Sequence, residues 1–85
     1  MPTVLRINGW RLFFYSNEGH EPPHIHAEKG GAEVKFWLQT ELYSYNVEED
    51  DSYGLSPALR REIQEIIVDH YEYLVEQWHR YFGSE

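Results

Sequence analysis

Thr3-Val4-Leu5-Arg6-Ile7-Asn8-Gly9-Trp10-Arg11-Leu12-Phe13-Phe14 sets an Asn-Gly pair between two runs rich in apolar and β-branched residues. Asn and Gly both tolerate the positive φ that a tight type I′ turn demands, so the stretch predicts a β-hairpin. A two-residue turn pairs Ile7 with Trp10, Leu5 with Leu12 and Thr3 with Phe14. Side chains alternate along a strand, so those residues share one face and turn it to the core. The other face carries Arg6 opposite Arg11 and Val4 opposite Phe13, with Tyr15 beyond.

Working outward, Ser16 to Pro23 reads as a loop, with Asn17, Gly19 and the Pro22-Pro23 pair as breakers. A second hairpin follows, closed at Gly30-Gly31. With a two-residue turn there, Ile25, Ala27, Ala32, Val34, Phe36 and Leu38 line the core. Outward then point His24, His26 and Glu28 on one strand and Glu33, Lys35 and Trp37 on the next. In residues 39–55, Glu41 to Asn46 suits a fifth, edge strand, and the acidic run Glu48-Glu49-Asp50-Asp51 reads as a solvated loop.

The C-terminal third is helical. Ser56 is a good N-cap, Pro57 a good first residue, and Gly83 stands where a terminating glycine belongs. Leu59, Ile63, Ile66, Ile67, His70, Leu74, Trp78 and Tyr81 follow helical spacing and make an apolar stripe. Glu62, Glu65, Asp69, Glu72 and Glu76 make a second, acidic stripe, which reads as a solvated face or a surface for a basic partner. One continuous helix over 57–82 is about 39 Å long and overhangs a strand of about 20 Å, leaving Tyr71, Trp78, Tyr81 and Phe82 partly uncovered. The fold class is therefore α+β: a four- or five-stranded antiparallel sheet of two hairpins, with one long C-terminal helix on one face. The expected organisation is a single domain, 1–85, with two hairpins in 1–38, an edge strand or acidic loop in 39–55 and the helix in 56–83.

Composition narrows the chemistry. There is no cysteine, which excludes a disulfide framework and a thiolate metal site. The apolar runs are far too short to span a membrane, and the N-terminus lacks a signal-peptide pattern, so a cytoplasmic bacterial protein is expected. The net charge is −8, which taken whole disfavours nucleic acid. Its distribution matters more. Residues 1–38 hold four basic and four acidic side chains, whereas 39–85 hold three basic and eleven acidic, so all the excess acid lies in the second part.

The outward sheet face is the candidate site. Arg6 directly opposite Arg11 places like charges together, which disfavours folding unless an anion or a nearby Glu28 or Glu33 neutralises them. Arginine forks suit phosphate oxygens, so phosphate or RNA-backbone contact is one reading and side chains spread into water the other. His24-Ile25-His26-Ala27-Glu28 puts two imidazoles and a carboxylate on one face. As acid and base, His24 and His26 beside Arg6, Arg11, Lys35 and Tyr15 resemble a metal-free ribonuclease. As ligands, His24, His26 and Glu28 or His20 could hold zinc or another divalent metal. The bland reading is an exposed polar face with structural histidines. His70 reads as a core residue satisfied by a hydrogen bond, and His79 as a complement to the helix dipole. None of these groups is a decisive catalytic signature, and whether the chain is an enzyme stays open.

Met1 to Ile7, Phe14-Tyr15-Ser16-Asn17-Glu18 and above all Glu21-Pro22-Pro23-His24-Ile25-His26 resemble the small bacterial family called domain of unknown function 4160. Ala32-Glu33-Val34-Lys35-Phe36-Trp37-Leu38, Gly54-Leu55-Ser56-Pro57 and Trp78-His79-Arg80-Tyr81-Phe82-Gly83 extend the resemblance over nearly the whole chain. The segment from about Tyr43 to Tyr53 departs from it. The resemblance implies a component of a toxin–antitoxin-type gene pair, with a small protein partner from a neighbouring gene and action on RNA. It draws attention to His24, His26 and His79. On this reading Arg6, Arg11, Lys35, Tyr15, Trp37 and His79 bind phosphate or partner, and His24 and His26 supply acid and base with no cofactor. Zinc on the His-x-His set is the alternative, as is a non-enzymatic module that uses the acidic, aromatic helix. Homodimerisation through that helix is a further expectation.

Overall fold

The computed structural model describes residues 3–15, 20–39 and 46–83. Five strands form one antiparallel sheet in chain order: β1 Thr3–Ile7, β2 Trp10–Phe13, β3 His24–Lys29, β4 Ala32–Gln39 and β5 Asn46–Tyr53. Two helices follow, α1 Pro57–Asp69 and α2 Tyr71–Phe82. The fold is α+β, with the helical segment packed on one face of an open sheet.

The first hairpin closes as its turn residues require. Asn8 and Gly9 hold φ of 52° and 82°, and Ile7 stands opposite Trp10, Arg6 opposite Arg11 and Leu5 opposite Leu12. The expected pairing of Thr3 with Phe14 and Val4 with Phe13 does not continue. A bulge falls between Thr3 and Leu5, and Thr3 faces Phe13 instead. One extra residue in the edge strand absorbs the local twist.

The second hairpin turns at Gly30-Gly31, with Lys29 opposite Ala32 and His24 opposite Trp37. The Pro23 carbonyl accepts a hydrogen bond from the Leu38 N–H at 2.9 Å, so the ladder runs one residue past the strand. Ile25, Ala27, Ala32, Val34, Phe36 and Leu38 are all buried, as alternation demands.

Two expectations need correction. The acidic run is not a loop: residues 48–51 lie in β5, which pairs along β4 from Gln39–Asn46 to Glu33–Tyr53 with a bulge between Lys35 and Phe36. Acidic residues are poor strand formers, but the exposed edge of β4 supplies a ladder that overrides the propensity. Residues 41–45, where the sequence suggests a strand, lie outside the described residues.

The single long helix is also two. His70 has φ −115° and ψ 23° and separates α1 from α2. Its backbone N–H and its Nδ1–H both reach the Ile66 carbonyl, at 3.1 and 2.9 Å. A side chain that competes for the i−4 carbonyl disturbs the regular ladder and bends a helix. The interruption resets the inward face. Ile63, Ile66 and Ile67 of α1 and Tyr71, Leu74 and Trp78 of α2 join one core with Trp10, Leu12, Phe14, Ile25 and Phe36. Tyr71 and Trp78 are therefore buried rather than overhanging, whereas Tyr81 of the expected stripe is exposed and His70 half-buried.

Ser56 caps α1 as expected, its Oγ accepting from Leu59 N–H at 3.1 Å, and Gly83 ends α2 at φ 73°. Glu62 ties α1 to the hairpins: one of its oxygens accepts from Trp10 Nε1 and from Lys29 Nζ, each at 3.0 Å. The Trp10 bond first, and the Lys29 bond second, hold the Glu62 carboxyl below its ordinary pKa.

Candidate functional site on the outer sheet face

Strand alternation delivers Arg11 and Phe13 on β2, His24, His26 and Glu28 on β3, and Glu33, Lys35 and Trp37 on β4 to the face opposite the helices. Cross-strand register then makes the neighbours. Arg11 faces Glu28, Phe13 faces His26, His26 faces Lys35, and His24 faces Trp37.

The Arg6–Arg11 opposition resolves by neutralisation. Arg11 Nη1 lies 2.8 Å from Glu28 Oε2, its Nε donates to Thr3 Oγ1 at 2.9 Å, and its guanidinium sits 4.3 Å from the Phe13 ring centre. Arg6 is exposed beside it. Arg11 is thus held in place, with much of its hydrogen-bonding capacity already used.

Beyond Arg11 the face becomes aromatic. His26 stacks on Phe13 at 5.5 Å and 22°, meets the Tyr15 ring edge-on at 4.7 Å, and meets His24 edge-on at 5.2 Å. Lys35 lies 4.3 Å from the Trp37 ring centre, and its Nζ donates to Glu21 Oε1 at 3.3 Å. Both contacts fix the ammonium rather than leave it to wander in water.

His24 departs from expectation. Alternation alone puts its ring outward with His26, yet it is 0% exposed. It packs against Trp37 at 5.3 Å and against Trp78 of α2 at 4.8 Å, while Nδ1 donates to the Pro22 carbonyl at 2.9 Å. The alternation is correct, but His24 opens its strand at the sheet's end, where α2 and the Pro22-Pro23 segment close over it. Its ring supports the surface from beneath and is closed off from solvent. Of the two histidines, His26 alone lines the depression described next.

That depression, of about 400 Å³, is lined by Phe13, Tyr15, His26, Glu33, Lys35 and Tyr53, among others. Tyr53, at the end of β5 and 76% exposed, stands in register with Glu33. Sequence reasoning missed Phe13 and Tyr53 as site residues. Phe13 was readable from its place opposite Val4 on the outward face; Tyr53 was hidden by the reading of its strand as a loop.

The remaining candidates separate. Trp37 lies at the His24–Lys35 end of the face. His79 is exposed on α2 and belongs to the helical layer, not the sheet. His20 is exposed in the segment before β3, and Glu28 is occupied by Arg11. Among the described residues, no three His, Asp or Glu side chains come together as a metal site, so the expected set of His24, His26, Glu28 and His20 does not converge.

The open sheet, the aromatic outer face and the Glu-Pro-Pro-His-x-His segment that builds its end can now be set beside known proteins. Searches of curated proteins and of solved structures returned no match. A family model described as "Domain of unknown function (DUF4160)" matches residues 9–79, a span that takes in four of the five strands and most of both helices. The chain belongs to the DUF4160 family of domains of unknown function.

Proposed function

We propose that the chain binds single-stranded RNA on the outer face of its sheet, with Tyr15 and Tyr53 offering rings to unpaired bases and Lys35 and Arg6 meeting phosphates. The observation that carries this reading is the depression in which Phe13, Tyr15, His26, Lys35 and Tyr53 converge. Bases of a single strand stack on aromatic side chains, at about 1–3 kcal/mol each, while cations track the backbone. The acid of the helices lies on the far side of the sheet and opposes RNA only weakly across a screened distance. Residues 48–51, by contrast, belong to the sheet's own edge strand, so binding is expected at low salt. The toxin–antitoxin-type setting that the family resemblance implies belongs to the same proposal, with a second small protein as the partner.

Binding, not cleavage, is proposed. The acid–base pair of His24 and His26 needs both imidazoles at the substrate, and His24 has no exposed surface.

The test is the anisotropy of a fluorescein-labelled eight-nucleotide oligouridylate titrated with the full chain at low salt. Tyr53→Ala is expected to weaken binding about tenfold while leaving the melting temperature unchanged, because Tyr53 is exposed and stacks only on ligand. Lys35→Ala is expected to weaken it too and to lower the salt slope by about one. No saturable binding, or wild-type affinity in Tyr53→Ala, overturns the reading.

A further inference from the structure

Two cations on the outer face are engaged by carboxylates, but differently. Arg11 meets Glu28 at 2.8 Å across paired strands, and Thr3 holds its other side. Lys35 meets Glu21 at 3.3 Å, and Glu21 lies outside the sheet, ahead of the two prolines. The first pair is built into the strand register. The second depends on a partly exposed side chain reaching in from a connecting segment.

That segment is itself anchored. Pro22 confines the backbone of the residue before it to extended conformations. The Pro22 carbonyl accepts from His24 Nδ1, and the Pro23 carbonyl accepts from the Leu38 N–H. The Glu21 backbone is thereby fixed near the end of β3, and its side chain is the part left to move. The oxygen that touches Lys35 also lies 3.8 Å from His24 Nδ1, whose N–H is already given to the Pro22 carbonyl, so Lys35 is the donor that holds it.

Lys35 is held from the other side by the face of Trp37, which keeps the ammonium at the rim of the depression. An anion entering there meets a lysine whose place for an oxygen is taken by a carboxylate of like sign. The ammonium has three donors, but two negative groups held close together on it repel, so the carboxylate competes with an entering anion.

We infer that Glu21 is a displaceable internal carboxylate, which occupies Lys35 in the free protein and yields it to a ligand phosphate, its own side chain turning out to water. The identity of that ligand as RNA rests on the reading above; the displacement does not. The Glu21-Pro22-Pro23-His24 segment then acts as a unit, in which the prolines and the His24–Pro22 hydrogen bond fix the backbone and Glu21 guards the lysine.

The test has two arms on the full chain, wild type against Glu21→Gln. The first uses no RNA: limited acetylation with acetic anhydride, read by peptide mass spectrometry, with Lys29 (paired to Glu62) as internal reference. The Lys35-to-Lys29 labelling ratio is expected to rise about threefold in Glu21→Gln, the scale of a half-exposed ion pair. An unchanged ratio overturns the inference. The second arm titrates the labelled oligouridylate, and the dissociation constant is expected to fall about threefold in Glu21→Gln. If Lys35→Ala weakens binding while Glu21→Gln does not strengthen it, the displacement is wrong and the RNA reading stands. If labelling rises but no protein binds RNA, the Glu21–Lys35 pairing stands and the RNA reading falls. Glu21→Ala repeats both arms, so that an effect peculiar to glutamine is recognised.

Discussion

The two faces of the sheet are drawn from the same strands by the same alternation, yet they bury their rings for different ends. The inner face places Trp10, Leu12, Ile25, Ala27, Val34, Phe36 and Leu38 under the helices as one apolar core. The outer face interleaves rings with charges: Arg11 on Phe13, Lys35 on Trp37, and His26 between Phe13, Tyr15 and His24. The inner face is closed by packing and tolerates little change, while the outer is held by paired charges and ring edges and keeps a depression open. A sheet of this size can carry a binding surface because one of its faces alone supplies the core.

The strongest way to break the comparison is to empty the inner face. Phe36→Ala, at a fully buried position, is expected to cost about 3–5 kcal/mol of stability by urea unfolding. A loss near that seen for an outer-face ring would mean the faces do not differ as described.

Next comes the junction between β5 and the helices. Gly54 has φ of 70°, and a Cβ there would lie 2.8 Å from the Gly31 carbonyl oxygen, a backbone atom with little room to retreat. Gly54→Ala is expected to cost about 3 kcal/mol in the same measurement, from the left-handed backbone and the close approach together.

The outer face is sharpened by its two histidines. His24→Ala removes a fully buried ring and leaves the Pro22 carbonyl without its donor, so a loss of about 2–3 kcal/mol is expected. His26→Ala, at a half-buried ring, is expected to stay within about 1 kcal/mol of wild type and to weaken oligonucleotide binding. Equal losses from the two would erase the distinction drawn between a buried, supporting histidine and one that lines the depression.

The smallest effect concerns acid. Trp10 and Lys29 stabilise the charged form of Glu62, so its folded-state pKa lies below the ordinary 4.5. Its contribution is therefore complete above that value and is lost as pH falls through the lowered one. Glu62→Gln is expected to lower the melting temperature slightly at pH 7, with the gap from wild type closing in acid. A gap that persists unchanged in acid would assign the effect to packing.

How much of this was readable follows from where the information lies. Asn8-Gly9, Gly30-Gly31, Ser56-Pro57 and Gly83 are local signals, and each marks an element end within a residue or two. Alternation placed the buried inner-face residues of β2, β3 and β4, though not Lys29, which reaches Glu62 on the helix side. What escaped depends on contacts distant in sequence, or on a side chain bonding the backbone. The acidic β5 exists because β4 offers it a ladder, and the helix breaks where His70 turns back to Ile66. His24 is buried because Trp78, more than fifty residues later, covers the end of its strand. At the candidate site Tyr15, His26 and Lys35 were legible from alternation, whereas Tyr53 required β5 to be known.

The irregularities of the two outer strands have a consequence for behaviour in concentrated solution. A bulge interrupts the pairing of β1 with β2, and another that of β4 with β5. A regular, flat margin is the template on which copies of a sheet protein add strand to strand into ribbons. Here one margin is kinked, and the other is kinked and drawn from a run of four consecutive acids, so two such margins brought together would repel. The edges of this open sheet are therefore poor templates for strand addition by further copies.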